Sequence, residues 1–232
     1  MSFNASTAVP SILLILGAYA RSVVAKKLLK LSRLADSHSE MEMPHYGYSG
    51  VGSPSPEWRD ITDRCKSTVE ELFAIAEELY GDRVNRIPVS VFEAKCDGPQ
   101  TFFGKAFGDA KIRIQEIPDN VNGNQRRYQL AQEIIHCLSP VPPNELTFFE
   151  KGLAQVFAHC PRVSVGIART MNPKYAKARD LCESLERECG GDILRRLRKK
   201  QPYISRIKPD MIIEVCPKFS SELAELLCKP WE

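Results

Sequence analysis

The chain of 232 residues is predicted to form an α+β domain, in which a small sheet precedes a helical C-terminal half. Three observations predict this class. A long helical pattern occupies residues 57–80, two strand patterns follow it, and helical patterns dominate from residue 125 onward. Because 43% of the residues are hydrophobic, we expect a packed core in one sizeable domain with extensions.

Residues 1–35 are basic and contain no Asp or Glu. The apolar run at residues 9–20 is too short to cross a bilayer comfortably, and positive charge follows it rather than precedes it, which argues against a signal peptide. We predict a basic amphipathic helix. It would pack on the domain, target the chain, or bind a membrane surface through residues 8–34.

Residues 36–56 are rich in Ser, Gly and Pro and are therefore predicted to be a linker. The predicted organisation is a helix at 1–35, this linker, and a folded domain at 57–232. The eight cysteines include no Cys-x-x-Cys pair, and their apolar surroundings fit reduced core thiols at least as well as disulfides. An intracellular location is therefore favoured, while export or organelle targeting stays open.

Hydrophobic periodicity predicts the elements of the domain. The helix at 57–80 has an apolar stripe and ends at Gly81. Residues 87–94 and 111–117 are predicted strands, the second of them half-exposed because polar and apolar residues alternate in it, and residues 101–108 form a further strand or turn. Further helices are predicted at about residues 125–138, 146–159, 173–200 and 220–227.

The helix at 125–138 carries the segment Gln132-Glu133-Ile134-Ile135-His136. Since each helical residue is rotated by about 100° from the last, Gln132, Glu133 and His136 gather on one side and the apolar residues face the core. A plain amphipathic helix with a solvated polar face would show the same pattern. The spacing nevertheless places Gln132 and His136 one turn apart, as a metal site requires.

This segment reads as the zinc-peptidase motif HExxH with Gln in place of the first His. Residues 149–154, Phe-Glu-Lys-Gly-Leu-Ala, are similar to the glutamate-bearing helix that follows HExxH in the gluzincin metallopeptidases, with the glycine displaced by one position. The chain thus resembles gluzincins over about residues 57–200. The resemblance implies a zincin-like metallopeptidase domain, with a small, mainly antiparallel sheet, an active-site helix, and the strand at 111–117 at the edge beside the cleft.

The resemblance also implies roles for individual residues. Glu133 matches the general base, His136 the second zinc ligand, Glu150 the third ligand, and Gln132 stands at the degenerate first-ligand position. An amide oxygen is a weaker zinc donor than imidazole, so zinc binding is expected to be weakened by several kcal/mol, on a scale of roughly 10–16 kcal/mol for structural zinc. A bound zinc would lower the pKa of its water to about 7 for Glu133 to deprotonate.

No residue is a compelling replacement for the missing histidine. Glu145, in the loop between the two helices, is conceivable; His159 is expected to face away from Glu150, and Cys137 points about 100° away from His136. His38 and His45 lie in the predicted linker. Tyr175 is a candidate oxyanion donor, although its position is better explained as a half-buried helix tyrosine.

Three functions follow. The first is a pseudopeptidase that binds or regulates a peptide or protein partner. The second is an active zinc-dependent peptidase, or a silenced variant of one, and the third is a helical interaction or membrane-surface protein with an accidental motif. The net charge of +3 indicates no polyanion partner, so nucleic acid is not expected, and the basic run at residues 195–200 is predicted to be a solvated helix end.

Overall fold

The structure is a computed structural model that describes residues 58–96, 98–104, 108–116, 123–164, 166–167 and 172–232. The predicted N-terminal helix at 1–35 and the linker at 36–56, with His38 and His45, lie outside these residues. Within the described part of the chain, no helix has the length and apolar character that a membrane span needs.

The described residues form a mixed α+β fold, as the sequence predicts. Its strands are β1 (Arg59–Asp60), β2 (Val89–Ala94), β3 (Gln100–Phe103) and β4 (Ala110–Gln115). Its helices are α1 (Thr62–Tyr80), α2 (Asn124–Leu138), α3 (Phe148–Ala158), α4 (Pro173–Cys189), α5 (Ile193–Lys200), α6 (Pro209–Val215) and α7 (Ser221–Leu227).

The sheet has the order β1-β2-β4-β3 and is mixed, which corrects the expected mainly antiparallel arrangement. β1 and β3 run antiparallel to their neighbours, but β2 and β4 pair in parallel along six residues, from Val89↔Ala110 to Ala94↔Gln115. The cause is local. β3 runs opposite to β2, and β4 turns back antiparallel to β3. β4 therefore lies beside β2 and runs in the same direction as β2.

The strand at 111–117 was expected at the edge of the sheet, and this prediction is wrong. β4 lies between β2 and β3, and the strands at the two edges of the sheet are β3 and β1. The alternation in β4 is real, since Ala110, Ile112 and Ile114 are fully buried and the residues between them are partly exposed. The alternation of polar and apolar residues shows which face of a strand is buried, however, and it does not show which strands pair with it on either side.

Two helix boundaries differ from the predicted ones. α1 begins at Thr62 rather than at residue 57, because Arg59–Asp60 pairs with β2. The single helix predicted at 173–200 is two helices, since Gly190 adopts a φ of 95° and ends α4. α6, which is only seven residues long, has no counterpart among the helices predicted from the sequence.

The prediction of a solvated helix end at residues 195–200 holds for Arg195, Lys199 and Lys200, which are exposed, but not for Arg198. Arg198 is buried, and its guanidinium donates hydrogen bonds to carbonyl oxygens at the ends of α1 and α2 and in two loops, namely those of Tyr80, Gly81, Asp82, Leu138 and Pro202. Arg196 donates to the carbonyls of Cys189 and Val215. The helix pattern alone could not show that other helices end opposite these side chains.

Glu93 attaches α2 to the sheet. This buried carboxylate on β2 accepts a hydrogen bond from Arg126 of α2 at 2.9 Å and is paired with Arg59 of β1. Burial alone would raise the pKa of Glu93, but the hydrogen bonds from the two arginines outweigh it and hold this pKa below its ordinary value. The contact between Glu93 and Arg126 therefore helps to position α2, the helix that carries the motif.

A disulfide joins Cys189, at the end of α4, to Cys216, just after α6. Reducing it is expected to lower the free energy of unfolding by about 3 kcal/mol, because the bond closes a loop with a sequence separation of 27 and restricts the unfolded chain. Urea unfolding of wild type and of the Cys189→Ser/Cys216→Ser variant measures this. Cys160→Ser, at a partly exposed free cysteine, is the control. Equal midpoints for all three proteins would contradict the bridge.

Candidate functional site

A cavity of about 530 Å³ lies between α2, α3, the edge strand β3 and the start of α4. Its lining includes Thr101 from β3, Gln132, Glu133 and His136 from α2, and Lys151 from α3. Gly152 lets α4 approach α3, since a Cβ there would lie 2.2 Å from the carbonyl oxygen of Ala178. This close approach positions the beginning of α4, with Tyr175, at the cavity wall.

His136 and Glu150 contact each other directly. The Nδ1 of His136 lies 2.6 Å from Oε1 of Glu150, and the Ser205 hydroxyl donates to Oε2 of Glu150 at 2.5 Å. His136 is 2% exposed and Glu150 1%. Because a carboxylate accepts from Nδ1–H, the imidazole is oriented with its Nε2 available on the opposite side.

The Nε2 of His136 faces Lys151, a residue that the HExxH-like motif does not mark. Nζ of Lys151 lies 3.2 Å from this nitrogen. Burial lowers the pKa of Lys151, while the negative charges of Glu133 and Glu150 act in the opposite direction. In the implied zinc site, Nε2 would face the metal; here it faces an ammonium group. The only trace of this in the sequence is the lysine inserted between the glutamate and the glycine of the Glu-Gly-Leu-Ala pattern.

Glu133 is held by the edge strand. The Thr101 hydroxyl donates to Oε2 of Glu133 at 2.7 Å, and Glu133 is 5% exposed. A carboxylate on the helix is therefore oriented by a strand 32 residues away in the chain. Thr101 was not singled out from the sequence, because nothing local marks it as a partner of Glu133.

Gln132 belongs to a chain of hydrogen bonds with Tyr128, one turn earlier on α2, and with Gln155 on α3. Its Nε2 donates to the Tyr128 hydroxyl at 3.1 Å, and that hydroxyl donates to Oε1 of Gln155 on α3 at 3.2 Å. Burial raises the pKa of Tyr128, while the charge of Arg179 opposes the rise. The hydroxyl therefore stays protonated and bridges the two amides at neutral pH.

The structure places Glu133 and His136 on the cavity lining, and it places Glu150 against His136 but not among the lining residues. Glu145 is not with them, because it pairs with Arg206 at 2.8 Å. His159 bonds the Gln155 carbonyl and packs edge-on against Tyr128, and neither it nor Cys137 lines the cavity. Tyr175 does line the cavity, and its ring also contacts Trp231.

The donor groups do not fit a three-ligand zinc site. The amide of Gln132 bonds to Tyr128, the Nε2 of His136 faces Lys151, and both oxygens of Glu150 accept hydrogen bonds from protein groups. A zinc ion needs deprotonated nitrogen, sulfur or oxygen donors that converge on it, and an ammonium at its position repels it. Among the residues that the structure describes, no cluster of three or more His, Cys, Asp or Glu side chains is arranged to hold a metal ion.

Comparison of the chain with protein-family models, with curated proteins and with solved structures finds no match in any of the three. The fold class therefore rests on the coordinates alone. The gluzincin resemblance stays a prediction, which depends on the order of the motifs along the chain, on Glu133 and His136 at the cavity, and on Glu150 beside His136.

Proposed function

We propose that the chain is a zincin-like pseudopeptidase, which binds an extended peptide segment in this cavity and does not hydrolyse it by zinc chemistry. The observation that carries the proposal is that β3, the edge of the sheet, forms the cavity wall opposite the motif residues. Pro99, Gln100 and Thr101 line the same cavity as Glu133 and His136. An edge strand beside a cleft is a surface to which a peptide can add as a further strand.

The register of β3 supports strand addition. In an antiparallel ladder, hydrogen-bonded and non-hydrogen-bonded pairs alternate. The Gly104 N–H bonds to the Asp109 carbonyl at 3.0 Å, and the pairs that follow are Phe103↔Ala110, Phe102↔Lys111 and Thr101↔Ile112. Thr101 is therefore in a non-hydrogen-bonded pair, and its backbone groups point away from β4 towards the outer edge. Among the described strands, none pairs with that edge.

The chemistry of the cavity supports binding over zinc-dependent hydrolysis. Hydrolysis would need a metal-bound water beside Glu133 and an imidazole nitrogen on the metal. The Lys151 ammonium lies against Nε2 of His136 instead, and Gln132 supplies an amide where the motif has its first histidine. We therefore favour the pseudopeptidase over the active zinc-dependent peptidase, and the cavity becomes a recognition surface.

Titration of the full chain with synthetic heptapeptide libraries tests this proposal, with amide resonances of isotopically labelled protein as the readout. We expect saturable shifts in the elements that line the cavity, β3, α2 and α3, and no cleavage of the peptides after prolonged incubation. Methylation of alternate peptide nitrogens should weaken binding at least about tenfold, because each strand-type hydrogen bond is worth roughly 1 kcal/mol and methylation also causes a clash.

Several results would contradict the proposal. They are the absence of binding by every library, equal affinity for N-methylated peptides, and cleavage that depends on stoichiometric zinc. Elemental analysis of the purified protein belongs to the same experiment, and we expect less than one zinc per chain. The control peptides have the same composition and carry the methyl groups on side chains rather than on the backbone.

A further inference from the structure

We propose that the group recognised in this cavity is a carboxylate of the bound peptide, held by the ammonium of Lys151 and the amide N–H groups of Gln129 and Gln155. This inference rests on the proposed function and specifies its ligand. A peptide carries such a group either at its C-terminus or on an Asp or Glu side chain. The two sources share one chemistry, and the experiment below separates them.

Lys151 has donor capacity left for a ligand. An ammonium group has three N–H donors, and one is directed at Nε2 of His136 at 3.2 Å. Lys151 lines the cavity and is only partly buried as a residue. Because His136 is itself oriented by Glu150, the ammonium is held at a defined place on the cavity wall.

Gln129 presents its amide nitrogen for a similar reason. The backbone N–H of Gln115 donates to Oε1 of Gln129 at 2.7 Å, and a backbone N–H can bond only to the oxygen of an amide. This contact fixes the orientation of the amide group. Gln129 is 4% exposed and lines the cavity, so its NH₂ group is the part that remains for a ligand.

Gln155, on α3, also has its amide oxygen occupied and its amide nitrogen left for a ligand. Its Oε1 accepts the hydrogen bond from the Tyr128 hydroxyl, which in turn accepts from Gln132. Gln155 is also 4% exposed and lines the cavity. Neither its Nε2 nor that of Gln129 has a hydrogen-bond partner among the described residues. Both side chains therefore offer donors to the cavity, where a ligand that accepts hydrogen bonds can reach them.

The acidic groups of the site do not oppose a carboxylate. Glu150 accepts from His136 and Ser205, and Glu133 accepts from Thr101. Lys151 lies close enough to both carboxylates for their negative charges to raise its pKa. Each carboxylate is thus already bonded to a protein donor, and the unused donors of Lys151, Gln129 and Gln155 remain for the ligand.

Peptide libraries in matched forms test the inference on the full chain. One library has a free C-terminus and lacks Asp and Glu, the second is C-terminally amidated with one Asp or Glu, and the third is amidated and lacks acidic residues. We expect one of the first two libraries, or both, to bind at least about tenfold tighter than the third, because charge-assisted hydrogen bonds are roughly twice as strong as neutral ones. Which of the first two binds identifies the source of the carboxylate.

The isosteric variant Gln155→Glu locates the site. It keeps the acceptor for Tyr128 and replaces the free NH₂ by an acceptor oxygen, so we expect carboxylate peptides to bind at least about tenfold more weakly. The preference of the site for carboxylate peptides over the neutral library should therefore largely disappear. Gln201→Glu is the matched control, because Gln201 also accepts a hydrogen bond through its oxygen, from Tyr203 N–H, but does not line the cavity. If Gln155→Glu fails to fold, Gln129→Glu makes the same test.

The outcomes separate this inference from the proposed function. Equal binding of all three libraries would overturn the carboxylate inference and leave peptide binding intact. A carboxylate preference that survives in both Gln155→Glu and Gln129→Glu would overturn the assignment to this cavity. If none of the libraries binds, the proposed function itself is wrong, and the ligand inference falls with it.

Discussion

Replacing Arg198 with methionine is expected to lower the free energy of unfolding by about 4 kcal/mol. The guanidinium donates to five backbone carbonyls, of which the closest, those of Gly81 and Asp82, lie at 2.6 and 2.7 Å. A buried carbonyl that loses its partner costs roughly 1–3 kcal/mol, and methionine fills most of the volume without replacing any donor. Water reaches some of these carbonyls in the variant, so the costs do not add fully.

Urea unfolding of wild type and Arg198→Met measures this effect. Lys199→Met is the matched control, since Lys199 is the next residue on α5 but is exposed, and its substitution should change stability by less than about 0.5 kcal/mol. Arg198→Lys should recover only part of the loss, because an ammonium has three donors and cannot reproduce the planar fork of the guanidinium. If Arg198→Met were as stable as Lys199→Met, the buried position of the guanidinium would be wrong.

The double variant Gln132→His/Lys151→Ala is expected to bind zinc at least about a thousandfold tighter than wild type. The first change supplies the missing imidazole, and the second removes the ammonium from Nε2 of His136. Restoring one ligand is worth several kcal/mol, and about 4 kcal/mol corresponds to a factor of roughly a thousand.

The two single variants separate the contributions of residues 132 and 151 to zinc affinity. Gln132→His alone should gain much less than the double variant, because zinc must still displace the ammonium. Lys151→Ala alone should gain little, because only one imidazole is present. Competition with a chromogenic chelator measures all four affinities, and Lys177→Ala, outside the cavity lining, is the control for loss of a lysine. Equal zinc affinities of Gln132→His and the double variant would show that Lys151 does not oppose zinc binding. If no variant bound zinc more tightly than wild type, the gluzincin resemblance would be contradicted.

The site was partly predictable because its motif lies on one local element. The rotation of a helix places Glu133 and His136 on the same side, and the structure confirms that they line one cavity. The position of Glu150 beside His136 came from the order of two motifs along the chain. Thr101, Lys151 and Gln155 could not be assigned in the same way, because each depends on which side chain an adjacent element presents to the cavity.

The sequence by itself determined the α+β class, the helices at both motifs, and the face of α2 that carries the polar residues. These features follow from periodicity within single segments, where burial of one face imposes a repeat of two or 3.6 residues. Only the tertiary structure decided that β3 rather than β4 is the edge, that Arg198 is buried between helix ends, and that Lys151 meets His136. These contacts join residues or whole elements that are distant in the sequence and meet only in the folded chain. The hydrophobic repeat within one segment shows which face is buried, but it does not show which residue of another segment lies against that face.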